Sequence, residues 1–127
     1  MRSFDITAIQ AATAISNTET VMGSEIDVRN YDYLIVWLKY TKGTEARAYV
    51  IPKYLLTTGG DEYQHMEWSN DNDALANQKK FKLTATGNNY IVLDVRGVPK
   101  IKLYQYKVSG TVTGTLKADY SLLRANI

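Results

Sequence analysis

The sequence has 127 residues, 45% of them hydrophobic and 22% charged, and its formal net charge is +2. This fits one globular domain that buries about two-thirds of its surface on folding. The absence of cysteine excludes disulfides, thiolate zinc sites and cysteine nucleophiles. The longest apolar runs, such as residues 34–38, are far shorter than the ~20 residues of a membrane-spanning helix, and no hydrophobic signal core is present. We therefore expect a soluble protein made in the cytoplasm, with no membrane contact.

The amino-acid composition favours strands. Ten tyrosines, two tryptophans and only two prolines accompany many Val, Ile and Thr residues, which suit pleated, half-buried surfaces. Eight glycines lie mostly between apolar stretches and mark turns. The pattern predicts an all-β fold, namely a single antiparallel β-sandwich with jelly-roll-like or Greek-key connections and about eight strands.

The first 24 residues differ from the rest, because Ala, Thr, Ser and Asn dominate and the apolar alternation soon fades. Two interpretations remain open for residues 1–24. They form either an edge strand of the same domain or an arm that docks on a neighbouring subunit. Residues 25–127 are predicted to form the β-sandwich domain.

Two hairpins are predicted from the alternation of apolar residues. Residues 32–40 are apolar on both faces, which predicts a central strand covered on both sides and makes Trp37 at least partly core. Residues 46–51 return from it, and Pro52 ends that strand or lies at an edge. Residues 80–85 and 90–95, separated by a turn, predict the second hairpin.

The remaining segments predict shorter or later strands. Residues 62–68 alternate with Met66 and Trp68 inward, and a long exposed loop follows over residues 69–78. Strands are also predicted from Ile101 to Val108 and within residues 111–123.

Charge is unevenly distributed along the chain. Residues 61–78 carry five acidic side chains and no basic one, whereas residues 79–127 carry nine basic side chains and two acidic ones. Such polarity could steer association with an acidic partner or between copies of the chain. The alternative is that lysines keep strand edges soluble and unpaired.

The residues offer little for catalysis. His65 is the only histidine, and it fits a surface position beside Tyr63 and Glu67. The run Asp71-Asn72-Asp73 resembles a calcium loop but lacks the glycine and the closing glutamate of an EF-hand. No phosphate-binding glycine motif is present. We therefore expect no enzyme, no cofactor and no metal site.

One surface is predicted from the last third of the chain. Lys100, Lys102, Tyr104 and Tyr106 alternate along one strand and share a face. A basic and aromatic face could bind single-stranded nucleic acid, but the low net charge and the lack of arginine clusters make nucleic acid an unexpected partner. Exposed tyrosines serve equally well at protein interfaces. Stacking of carbohydrate on aromatic rings is a further alternative.

Residues 27–43, the segment from Gly87 to Val95, residues 100–103 and the glycine-threonine segment 110–116 together resemble small β-sandwich auxiliary structural proteins of tailed bacteriophages, of the capsid decoration or cement type. The resemblance covers residues 20–124 loosely and consists of strand and turn signatures.

The resemblance implies a binding role without turnover. Such a protein is made in the host cytoplasm and becomes part of the virion, on the capsid surface, where it binds the major capsid protein and copies of itself, most often as a trimer. An N-terminal arm is common in such proteins, and Phe4, Ile6 and Ile9 would be its anchors here. The alternative is a tail or fibre-associated module that binds a host glycan or receptor through exposed aromatic side chains.

Overall fold

A computed structural model describes residues 5–66 and 78–125 of the chain. These residues form nine strands. Their bounds are β1 Thr7–Ala14, β2 Thr20–Asp27, β3 Tyr33–Thr41, β4 Arg47–Leu55, β5 Glu62–Gln64, β6 Phe81–Leu83, β7 Gly87–Asp94, β8 Lys100–Val108 and β9 Thr115–Leu123. In the part of the chain so described, no helix is long and apolar enough to span a membrane.

The strands form two antiparallel sheets that pack as a β-sandwich. Sheet one has the order β1-β9-β3-β7, and sheet two has the order β2-β8-β4, with β5 and β6 both paired to the far edge of β4. Because β5 and β6 occupy one strand position, each sheet has four positions. The chain moves repeatedly between the two sheets, as it does in a jelly roll. The predicted all-β sandwich is confirmed.

The position shared by β5 and β6 is interrupted along β4. Leu55 pairs with Glu62 of β5, whereas Ala48 pairs with Leu83 of β6. Pro52 lies between these two paired segments, so its missing N–H removes no ladder bond to β5 or β6. The predicted end of the strand at this proline is wrong, because β4 continues to Leu55 along β8.

The core lies between the sheets and follows the alternation within each strand. In β3 the even-numbered residues from Leu34 to Tyr40 are buried, and in β8 Ile101 and Leu103 are buried opposite them. Burial of apolar side chains of this size stabilises the fold by about 1.5–3 kcal/mol each. The two central strands therefore supply the middle of the core.

Both predicted hairpins are wrong, because β3 and β4 lie in opposite sheets and so do β6 and β7. In place of the first predicted hairpin, the connection after β3 is hydrogen-bonded to the loop before β9. The Thr44 N–H donates to the Val112 carbonyl at 2.8 Å, and the Thr44 hydroxyl accepts the N–H of Val112 at 2.9 Å. These contacts turn the chain across the end of the sandwich.

The prediction that β3 is central is confirmed, but its cover on both sides is wrong. Trp37 is 40% exposed, because it lies on the outer side of sheet one, where no second layer covers it among the described residues. Met66, predicted inward, is 45% exposed beside its bridge partner Gln78. Trp68 and most of the predicted loop 69–78 lie outside the described residues.

The N-terminal segment belongs to both sheets. β1 pairs with β9 and β2 pairs with β8, so the proposed boundary between residues 24 and 25 falls inside β2. The two strands also meet at one side of the sandwich. Gly23 has a φ of 63°, and a Cβ there would lie 2.5 Å from the Ile9 carbonyl oxygen. Contact of residues 1–24 with a neighbouring subunit stays a prediction.

Candidate interaction surfaces

The structure places Lys100, Lys102, Tyr104 and Tyr106 together on the outer side of β8, in the middle of sheet two. They face solvent because the alternate residues of β8 fill the core. We call this surface, with the outward residues of β4 beside it, the sheet-two face. It has two halves with different electrostatics.

The first half contains Lys53, Lys100 and Lys102, and each of these lysines has a carboxylate partner. The Lys100 ammonium lies 3.6 Å from Asp27, and the Lys53 ammonium lies 3.1 Å from Glu19. Exposed pairs of this kind contribute about 0–1 kcal/mol each, but they cancel charge that could otherwise attract a partner.

Glu62 connects the remaining groups of this half. It accepts a hydrogen bond from the Tyr104 hydroxyl and lies 3.2 Å from the Lys102 ammonium. Burial, followed by the neighbouring Glu62 carboxylate, raises the pKa of Tyr104 to about 12. The Lys53 ammonium lies 4.4 Å from the centre of the Tyr104 ring. This half is therefore a closed network with little unsatisfied charge.

The second half combines stacked tyrosines with cations that have no carboxylate partner in the part of the chain that the structure describes. Tyr49 and Tyr106 stack with ring centres 5.1 Å apart, and the Arg47 Nε donates to the Tyr49 hydroxyl at 2.9 Å. The Lys80 ammonium lies 4.9 Å from the Tyr49 ring centre, and Lys82 is opposite Tyr49 in register. Within residues 5–66 and 78–125, Lys80 and Lys82 are exposed and form no ion pair. This half can attract an acidic partner.

A second surface, not predicted from the sequence, lies on the outer side of sheet one. Trp37, Tyr90 and Val92 are 40%, 63% and 49% exposed, and we call them the sheet-one patch. The Trp37 and Tyr90 rings are 5.5 Å apart, since the two residues are direct partners across β3 and β7. The Trp37 Nε1 donates to the Ser121 hydroxyl at 3.0 Å, which fixes the indole orientation.

The sequence did not predict this patch, because the apolar pattern of β3 predicted a buried strand. Apolar residues on both sides of a strand are typical of a strand with two covered faces. The outward neighbours on β9 give the contrary signal, because Lys117 and Asp119 are polar and form an ion pair at 2.7 Å. Only knowledge of the strand order would have placed those residues beside Trp37.

The three predicted N-terminal anchors have different surroundings. Ile9 packs against the core of its own chain, whereas Ile6 is 66% exposed. Phe4 lies outside the described residues. The neighbouring Gln10 donates through its amide to Gln105 at 3.0 Å and to the Leu116 carbonyl at 2.8 Å, so β1 is tied to both sheets.

His65, predicted at a surface position, is partly buried and contacts Tyr54. The Tyr54 hydroxyl lies 2.8 Å from the His65 Nδ1, and burial, followed by the charge of Asp94, raises the pKa of Tyr54 to about 12. Asp71 and Asp73 lie outside the described residues. Elsewhere, in the two described ranges, no cluster of three His, Cys, Asp or Glu side chains could hold a metal ion.

Comparison with known proteins identifies a shared fold. No protein-family model matches the sequence, and no curated protein matches it. The crystal structure of SPBc2 prophage-derived protein YomS is similar to this chain, with a TM-score of 0.50 and 18% sequence identity. The match covers 96% of this chain and 96% of that chain. This chain therefore shares its two-sheet architecture, along nearly its whole length, with a prophage-derived protein.

Proposed function

We propose that the chain is a non-catalytic structural protein of a tailed bacteriophage virion, which decorates or cements the capsid by binding major capsid subunits and copies of itself. The observation that supports this best is the match to a prophage-derived protein over 96% of both chains. Because shared fold alone does not define function, the surfaces carry the rest of the proposal.

The sheet-one patch supplies the apolar contact in this proposal. Exposed Trp and Tyr side chains are enriched among the residues that dominate binding energy at protein interfaces. Trp37 and Tyr90 lie side by side, and the Ser121 bond holds the indole in place before a partner arrives. Such a rigid aromatic pair loses little entropy on binding.

Charge would then set the orientation of the protein on its partner. Lys80 and Lys82 form a basic surface that has no ion-pair partner among the described residues, whereas Asp61 and Glu62 begin the acidic segment. Opposite charges on neighbouring subunits favour one register and speed association.

The test is to locate the protein on purified phage particles, by mass spectrometry of the virions together with density mapping or labelled antibody. We expect signal distributed over the capsid shell. Signal confined to the tail would replace the decoration role with the alternative below, and absence from virions would overturn the proposal.

A second candidate function is a tail or fibre-associated module that binds a host glycan or receptor. The Trp37 and Tyr90 rings favour it, because paired exposed rings can stack on the apolar face of a sugar. Glycan-array binding that is lost in both Trp37→Ala and Tyr90→Ala would support it. Tyr63→Ala, which removes a tyrosine 51% exposed on β5, is the matched control.

A further inference from the structure

We propose that β7 is the strand at which two copies of the chain pair edge to edge, antiparallel and around a two-fold axis. The pairing would join the two copies of sheet one into one continuous sheet of eight strands. It would provide the self-association that the proposed function includes, but it is argued from the sheet edges and does not require the virion role.

The other strand edges carry features that discourage such pairing. β1 has two register shifts along its pairing with β9, and β2 has one along its pairing with β8. The remaining edge position is divided between β5 and β6, which have three residues each. Bulges and short edge strands are devices by which proteins prevent sheets from joining.

β7 has none of these features. All eight of its residues pair with β3 without a register shift, and it contains no Lys, Arg or Pro. Its opposite edge has no strand partner among the described residues. A long, regular edge of this kind, with one charged residue at its end, is a template for another strand, because its outward N–H and C=O groups can form a ladder.

Apolar surface borders this edge on both sides of the sheet. Tyr90 and Val92 are exposed on the outer side. On the inner side, Ile91 is only partly buried, and a groove of about 490 Å³ between β6 and β7 is lined by Leu38, Phe81 and Ile91 together with Lys80 and Lys82. The opposite side of the sandwich is closed where Gly23 meets Ile9. Pairing at β7 would therefore bury apolar surface that the single chain leaves open.

The charges on and beside β7 favour a second copy as the partner. Its only charged residue is Asp94 at its C-terminal end, which is paired with Arg96, and Lys39 lies opposite Asn88 near the other end. Antiparallel pairing separates the two Asp94 carboxylates and places each of them toward the Lys39 end of the other copy. The two Asp94 carboxylates therefore do not face each other, and the apolar row of Tyr90 and Val92 of one copy meets the same row of the other.

Single cysteines test the pairing directly, because the chain has no cysteine of its own. Tyr90→Cys, Ile91→Cys and Val92→Cys are each oxidised, with Val21→Cys on β2 as the control. A two-fold seam places only one position of β7 beside its own copy. We expect disulfide-linked dimer to peak at one of the three positions and to be several-fold lower at the others and at position 21.

A second variant measures the strength of the pairing without a cross-link. Val92→Lys introduces two lysines into one seam, so we expect the dissociation constant of the dimer to rise about tenfold in sedimentation velocity. Val21→Lys is the matched control on an edge that already has a register shift. Circular dichroism checks that each variant is folded.

Three outcomes would overturn the pairing. They are a monomer at all concentrations tested, a trimer such as the phage resemblance implies, and equal cross-linking at position 21 and along β7. The proposed location on the virion would survive each of them, since it is measured separately on phage particles, whereas a monomer would also remove self-association from the proposed function.

Discussion

The Glu45 carboxylate accepts the backbone N–H of Gly114 at 2.9 Å, although the two residues are 69 positions apart. The same carboxylate accepts the Gly43 N–H at 3.1 Å and the Tyr40 hydroxyl, and Glu45 is fully buried. Burial alone would raise the pKa of Glu45, but the hydrogen bonds from Tyr40, Gly43 and Gly114 hold it below its ordinary value. This side chain ties the connection after β3 to the loop before β9.

Removing this carboxylate should destabilise the fold. In Glu45→Ala the donors of Tyr40, Gly43 and Gly114 lose their acceptor inside the protein, so we expect a loss of about 2–4 kcal/mol in the free energy of unfolding, measured in urea. Glu19→Gln, which breaks an ion pair that is 40% exposed at Glu19, should change stability by less than about 1 kcal/mol. Equal effects of the two substitutions would contradict the tie.

The lowered pKa of Glu45 also predicts a dependence of stability on pH. The stabilisation is present above the ordinary value of 4.5 and is lost as pH falls through the lower pKa of the folded state. Other carboxylates titrate in the same range, so the informative quantity is the difference between wild type and Glu45→Gln. We expect that difference in unfolding free energy to shrink as the pH falls below about 4.5, and a constant difference would contradict the assignment.

The same contacts explain which part of the fold could be predicted. Alternation within β8 identifies its inward and outward residues, because side-chain direction follows from the strand itself. The connection at residues 42–46 has ordinary turn composition, and its path across the sandwich depends on Thr44 and Glu45 meeting the loop at 110–114. Contacts between such distant segments leave no local pattern, so the two hairpins were predicted in their place.

The candidate surfaces show a similar division. The spacing alone could group Lys100, Lys102, Tyr104 and Tyr106. The carboxylates that neutralise the lysines in the first half of the sheet-two face come from β2, β5 and the segment before β2. The sheet-one patch could not be predicted from the sequence. Its prediction requires the strand order of sheet one and the fact that no second layer covers its outer side among the described residues. Sequence alternation identifies which residues share a face, and the tertiary arrangement decides whether that face meets solvent.

Truncation separates the structural role of the N-terminal segment from any role in assembly. Ile15 is fully buried and Gln10 bonds to both sheets, so deletion of residues 1–15 should lower the melting temperature by several degrees. Deletion of residues 1–5 leaves β1 intact and should lower the melting temperature less, so it is the matched control for a contribution to assembly. Scanning calorimetry of both truncations checks the difference.

The closed half of the sheet-two face can be tested by titrating Tyr104. Burial and the Glu62 carboxylate raise its pKa to about 12, and both disfavour the tyrosinate. Glu62→Gln removes the negative charge, so the pKa of Tyr104 should fall toward its ordinary value of 10. The ultraviolet difference between Tyr104→Phe and its parent isolates this one tyrosine. Asp61→Asn removes a neighbouring charge without touching the hydrogen bond and should leave the titration of Tyr104 almost unchanged.

The sheet-one patch makes the sharpest distinction between a binding role and a purely structural one. Tyr90 is 63% exposed, so Tyr90→Ala should change the free energy of unfolding by less than about 1 kcal/mol while weakening attachment to capsids at least tenfold. Co-sedimentation with capsids that lack the protein measures the attachment, and Tyr63→Ala on β5 is the control. A stable Tyr90→Ala variant that binds capsids as tightly as wild type would remove the patch from the interface. Capsid binding would then have to depend on Lys80 and Lys82. In that case Lys80→Glu should abolish capsid binding, because it reverses the charge of a basic contact surface.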